Sequence, residues 1–177
     1  MRRYLLEGLL RRPLTEAAPA PDPLPEDLAR GLERAAWRRL GRSLAIRMVD
    51  AGSCNACELE INALANPFYD LERFGLHFVA SPRHADVLMA TGPVTRNMRE
   101  ALERTWAAMP EPKWVISVGD CAQGGGCFAG SYAVVGGIEA VLPVDLHVPG
   151  CPPEPMAILR GLLTLVEAAA GARPGSG

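Results

Sequence analysis

Cys54 and Cys57 form a C-x2-C pair, and Cys121 and Cys151 follow singly, far along the chain. Thiolates are soft donors, and four of them satisfy either a tetrahedral zinc ion or a 4Fe-4S cluster. Each cysteine segment follows a run that reads as a β-strand. Asp50-Ala51-Gly52-Ser53 leads into the pair, Val118-Gly119-Asp120 into Cys121, and Val148-Pro149-Gly150 into Cys151. In a parallel α/β sheet the loops after the strands all leave on one edge, where ligands bind near a switch in strand order. Three distant segments are thereby expected to converge. Several details favour the cluster over zinc. Structural zinc sites usually pair two local knuckles, whereas only the first pair is local here. Pro152 and Pro153 follow Cys151, and proline stiffens a turn without adding a competing N–H. Gly124, Gly125 and Gly126, after Cys121, let backbone approach a cluster and direct N–H groups at its sulfides. Cys127 is surplus to the set and reads as a small buried hydrophobe.

The remaining polar residues have plainer explanations beside functional ones. Glu58 and Glu60 follow the cysteine pair where a helix should start. They either complement the helix dipole or offer a carboxylate that relays protons, with Glu58 favoured because it adjoins a ligand. Asp50 and Asp120 read as hydrogen-bonding loop residues. His77, His84 and His147 are scattered and have no partner at helical spacing, so no metal ligation is expected of them. Arg83, in the Ser81–Asp86 turn, either faces a partner or belongs to a connection. Trp37, Trp106 and Trp114 read as packing residues.

The elements that must hold these residues alternate strand-like and helix-like runs, which predicts an α/β fold with a mostly parallel sheet. Strands are expected over 44–49, 76–80, 85–90, 113–118 and 141–148. Helices are expected over 26–40, 58–65, 97–109, 131–140 and 155–169. Before them, residues 1–25 read as an amphipathic arm (Leu5, Leu6, Leu9 and Leu10 among arginines) and a linker carrying Pro13, Pro19, Pro21, Pro23 and Pro25. The cluster-binding domain is expected over 26–170 and a disordered tail over 171–177. The 177 residues carry a net charge of −2, which supplies no basic field for nucleic acid. No apolar run is long enough to span a membrane, since Arg160 and Glu167 interrupt the best one, Met156 to Ala170. The basic start Met1-Arg2-Arg3-Tyr4 meets Pro13 without a small-residue cleavage site, so a cytoplasmic location is expected. In that reducing compartment, metal binding, catalysis or chance burial explains five cysteines better than disulfides do.

Five co-linear motifs resemble one family. They are Gly52-Ser53-Cys54-Asn55-Ala56-Cys57-Glu58-Leu59-Glu60-Ile61, Ser81-Pro82-Arg83-His84-Ala85-Asp86-Val87-Leu88, Thr91-Gly92-Pro93-Val94-Thr95, Gly119-Asp120-Cys121, and Val148-Pro149-Gly150-Cys151-Pro152-Pro153. Together they resemble the small subunit of group 4 membrane-bound nickel–iron hydrogenases, of the hydrogenase-4 and formate hydrogenlyase type. The PSST subunit of complex I belongs to the same superfamily but typically has adjacent cysteines, so the C-x2-C spacing leans to the hydrogenase branch. The resemblance implies a flavodoxin-like domain with helices on both faces of the sheet and one 4Fe-4S cluster on Cys54, Cys57, Cys121 and Cys151. It also implies docking on a large subunit that holds the nickel–iron site, or on the complex I counterpart of that large subunit. Further iron–sulfur and membrane subunits would hold the chain peripherally on the inner face of the cell membrane. The implied role is electron relay in a hydrogenase, with quinone reduction as in complex I, or a zinc-bound structural role, as alternatives. Ala56 departs from the glycine that the family commonly carries between the paired cysteines.

Overall fold

The structure, a computed structural model, describes residues 24–171. The arm and most of the linker expected over 1–25, and the tail expected over 171–177, lie outside the described residues apart from their innermost positions. Helix α1 spans Leu24–Leu40 and leads into β1, Leu44–Asp50. After it come α2 (Ala56–Ala63), β2 (Leu76–Phe78) and β3 (Val87–Thr91). Then follow β4 (Val94–Thr95), α3 (Arg96–Ala108), β5 (Trp114–Val118) and the single turn α4 (Asp120–Gly124). The described chain closes with β6 (Val134–Gly136), β7 (Leu146–Val148) and α5 (Pro155–Gly171).

Five strands make one sheet in the order β2-β1-β3-β5-β7, with every pairing parallel. Numbered among themselves these strands run 2-1-3-4-5, the flavodoxin-like order, whose switch point lies between β1 and β3. All five residues of β3 are buried, as suits a central strand covered on both faces. One face packs against α1, α2 and α5 through Leu32, Ile61, Ile158 and Leu162, together with Ile46, Met89 and Ile116 of the sheet. The other packs against α3 and α4 through Leu102 and Ala122, with Val49, Leu88 and Val115. In α5 the buried Ile158, Leu159, Leu162, Leu165 and Val166 recur at helical spacing. Arg30, Arg34 and Arg38 of α1 are exposed, as expected of a solvated face. Among the described residues no helix is long and apolar enough to cross a membrane.

The helix expected over 131–140 does not form. Gly136 and Gly137 interrupt the segment, and Val134–Gly136 instead pairs antiparallel with β4. The last strand is confined to Leu146–Val148, because Val141 and Leu142 belong to a 3-10 turn that packs into the core. Trp37 is 54% exposed rather than packed. Trp106 and Trp114 are half-buried against the two cores, beneath Lys113 and Arg39 respectively.

Asp86 is one of the few buried charges, at 2% exposure. Its Oδ2 accepts the Ala45 N–H at 2.9 Å, and Arg42 donates to both of its carboxylate oxygens, at 3.0 and 2.5 Å. The carboxylate thus ties the start of β1 to β3. Arg42 is largely exposed, which weakens the ion pair. Asp86→Ala is expected to cost about 2 kcal/mol in urea unfolding, mainly because the Ala45 N–H is left unpaired. Unfolding at the wild-type midpoint would contradict that role.

Candidate metal centre

The first cysteine loop is built by its own backbone. Asp50, at the end of β1, accepts the N–H groups of Gly52 and Ser53 on Oδ1 at 2.7 and 2.6 Å. Asn55 then turns the chain at φ 74°, a conformation asparagine tolerates better than most residues. Its N–H donates to Ser53 Oγ at 3.0 Å. Helix α2 begins at Ala56, so Cys57 lies in its first turn while the exposed Cys54 stays in the loop. Alanine in place of the family's usual glycine therefore falls at a helical position, which it favours.

The other two segments are fastened to one another. Gly119 donates its N–H to Val148 C=O at 2.8 Å, Asp120 N–H donates to Gly150 C=O at 2.9 Å, and Gly150 N–H donates to Asp120 Oδ1 at 2.7 Å. Asp50 is thus a hydrogen-bonding loop residue, as expected, whereas Asp120 makes its hydrogen bonds from the first position of α4. Cys121 sits in the first turn of α4, and Cys151 is exposed in the loop after β7. Gly119 is the close approach that joins this pair to the first loop. It adopts φ 91°, and a Cβ there would lie 2.5 Å from Cys57 Sγ. Gly126 does the same for Cys121, since its Cβ would meet that sulfur at 2.6 Å, whereas Gly124 faces open space.

Two of the thiols, Cys57 and Cys121, are shifted by their surroundings. Burial pushes the Cys57 thiol up to about 12, and the negative charge of Glu58 and then Cys54, Cys121 and Cys151 add to the effect. Cys121 is also raised, again mainly by burial, with Cys127, Cys151 and Cys54 contributing and the Cys127 N–H opposing. A thiol raised in this way is protonated at neutral pH, so a metal that binds it must displace the proton. Among the described residues no three of His, Cys, Asp and Glu are gathered tightly enough to grip a single metal ion. Four thiols brought together from three segments are the donor set that a 4Fe-4S cluster takes.

Cys127 is not buried: it lies exposed in the 3-10 turn Gly126–Phe128. The glycine-rich chain before it runs over Cys121, with the Cβ position of Gly126 2.6 Å from that sulfur. Glu58 is 4% exposed, and its carboxylate accepts Ser53 Oγ at 2.6 Å and the Thr91 hydroxyl from the end of β3. Sequence reasoning missed Thr91 because nothing in its neighbours signals a contact between the end of β3 and helix α2. Glu60 is half-buried, and its charge adds to the burial that raises Tyr69. His77, His84 and Arg83 are exposed, while His147 Nδ1 lies 2.8 Å from Ser117 Oγ.

Fold and site together define a flavodoxin-like α/β domain in which the segments bearing Cys54, Cys57, Cys121 and Cys151 leave the C-terminal edge of the sheet. The chain belongs to the family of the NADH ubiquinone oxidoreductase 20 Kd subunit, whose pattern it matches over residues 54–165, a stretch that contains all four cysteines. It is 46% identical over 143 residues to formate hydrogenlyase subunit 7 of Escherichia coli, covering 81% of this chain and 56% of that protein. The chain thus spans little more than half the length of that relative. It is also 46% identical over 128 residues to the Pyrococcus furiosus protein described as "Probable membrane-bound hydrogenase subunit mbhJ", covering 72% of this chain and 77% of the relative. A chain of the membrane-bound sulfane sulfur reductase, an archaeal respiratory membrane complex, superposes with a TM-score of 0.67 at 31% identity. That match covers 81% of this chain and 77% of the other. The resemblance read from the motifs and the flavodoxin-like fold are both borne out.

Proposed function

We propose that this chain is the electron-relay small subunit of a membrane-associated hydrogenase-type complex, with Cys54, Cys57, Cys121 and Cys151 holding one 4Fe-4S cluster. The observation that carries the proposal is the convergence of those four thiols from three strand ends, with Gly119 kept bare against Cys57 Sγ. A cluster bound there supplies one-electron transfer. The protein's part is to fix the donors. Asp50 shapes the first loop, the Asp120–Gly150 exchange of hydrogen bonds locks the other two, and the flanking helices seal both faces of the sheet. Relatives named as hydrogenase and formate hydrogenlyase subunits support a large catalytic subunit and further membrane subunits as partners. Attachment to the inner face of the cell membrane then comes through those partners. Purifying the complex anaerobically through a tag on this chain tests the reading. The expected result is hydrogen turnover and a co-purifying large subunit with two C-x2-C pairs. Quinone reduction by a nickel-free complex would place the chain with the complex I branch instead.

Glu58 is the carboxylate we propose for proton relay, in preference to Glu60. It is joined to two hydroxyls, those of Ser53 and Thr91, which can pass a proton along a hydrogen-bonded chain. Glu58→Gln is expected to slow hydrogen turnover by about 100-fold with cluster content unchanged, and Glu60→Gln to leave it nearly intact. Wild-type turnover in the Glu58 variant would leave the carboxylate only as a clamp between the first loop and β3.

Residues 1–25 are proposed as an attachment arm separate from the cluster-binding domain. Because α1 starts at Leu24, removal of residues 1–23 is the cleaner test. The shortened chain should fold and load its cluster but co-purify with less of its membrane partners. Failure to fold would make the arm part of the core.

A further inference from the structure

The segment that carries the surplus thiol folds back on one of the four donors. After α4 the chain doubles back on Cys121: Gly125 N–H donates to Cys121 C=O at 2.9 Å. The Cβ position of Gly126 is 3.0 Å from Cys121 Cα as well as 2.6 Å from its Sγ. Cys127 is the residue directly after that close approach, and it opens no helix that would carry it away: it lies inside the 3-10 turn Gly126–Phe128. Cys127 itself is exposed, on a loop of consecutive glycines with no side chains to resist a small shift. A disulfide needs its two Cα atoms within about 7 Å, a span that a loop folded back in this way can supply.

We propose that Cys121 and Cys127 are a peroxide-sensitive thiol pair, which closes to a disulfide in the cluster-free chain and withholds one of the four cluster donors. The proposal rests on Cys121 being a ligand. In the first step the exposed Cys127 sulfur attacks hydrogen peroxide, giving a sulfenic acid and one water. Cys121 sulfur then attacks the sulfenic sulfur, forming the S–S bond and releasing a second water. Two thiols lose two electrons in total, one peroxide gains them, and both thiol protons end in water. A thiol reductant reverses the reaction and frees Cys121 for iron.

The test uses the full chain, stripped of metal under reducing anaerobic conditions and exposed to one equivalent of hydrogen peroxide. Alkylation with a maleimide followed by peptide mass mapping should show Cys121 and Cys127 protected together about tenfold, in a peptide lighter by two hydrogens. Cys54, Cys57 and Cys151 should still be labelled, and a reductant should restore both lost labels. The oxidised chain should take up iron and sulfide only after reduction. In Cys127→Ala the same treatment should leave Cys121 open to alkylation. Cys127 still fully labelled after peroxide, or Cys121 bridged to Cys54, Cys57 or Cys151, would overturn the proposal, as would equal iron uptake by the oxidised and reduced wild-type chains. If the reduced chain takes up no cluster, the reading of Cys121 as a ligand fails. The alkylation map, read without iron, still decides the thiol pair.

Discussion

Serine in place of Cys54, Cys57, Cys121 or Cys151 is expected to strip iron from the chain in each of the four single variants, while Cys127→Ser keeps its full complement. A hydroxyl is a poor ligand for iron, and each of the four positions supplies a donor that no other residue stands ready to replace. Loss of an outer-sphere partner typically costs 10- to 100-fold in metal affinity, and loss of a donor should cost at least about that much. Electron relay should fall in parallel in any assembled complex. Cys127 lies beside Cys121 but outside the set, which is why its removal should leave the anaerobically loaded chain unchanged. Iron and sulfide content of the five variants, prepared side by side without oxygen, checks this directly. A Cys127 variant without iron, beside a Cys151 variant that retains it, would require a different donor set.

Gly119→Ala should be nearly as damaging without removing any ligand. The residue adopts φ 91° with ψ 154°, a region that is essentially glycine's, where a side chain costs about 1–3 kcal/mol of strain, and its new methyl would lie 2.5 Å from Cys57 Sγ. Either that sulfur moves or the Gly119–Val148 hydrogen bond that aligns the Cys121 segment breaks. Gly130→Ala is the matched control, since Gly130 has φ 80° but nothing within 4 Å of its Cβ position. Both variants should lose stability through strain, Gly119→Ala the more because of its clash, read from urea unfolding. Only Gly119→Ala should load iron poorly, by about tenfold or more. Equal loading of the two would mean that the close approach of Gly119 does not position the sulfur.

Much of the site is legible in the cysteine spacing, because a parallel sheet sends every cysteine-bearing segment to one edge once the strands are recognised. The runs at 44–49, 85–90 and 113–118 are apolar and short, so β1, β3 and β5 fall close to their expected places. The helix over 131–140 fails because an apolar run of helical length outweighs Gly136 and Gly137, which break a helix and here open a strand. The sequence pattern places Cys57 and Cys121 in loops, yet each opens a helical turn. The first helix starts at Ala56, two residues before the expected Glu58, and the short turn Asp120–Gly124 has no counterpart among the expected helices. Cys127 departs from expectation because burial of a free thiol is a statistical tendency, whereas its position follows from a backbone pressed against Cys121. Thr91 and Asp86 owe their roles to partners 33 and 44 residues away, Glu58 and Arg42, and no local pattern announces such pairs.

The most direct measurement is the metal and sulfide content of the full chain purified without oxygen, combined with electron paramagnetic resonance of its reduced form. Iron and acid-labile sulfide in equal amounts, about four of each per chain, with a signal that appears on one-electron reduction, is the expected result. A colourless chain holding zinc and no sulfide would contradict a cluster on Cys54, Cys57, Cys121 and Cys151, and with it the electron-relay role.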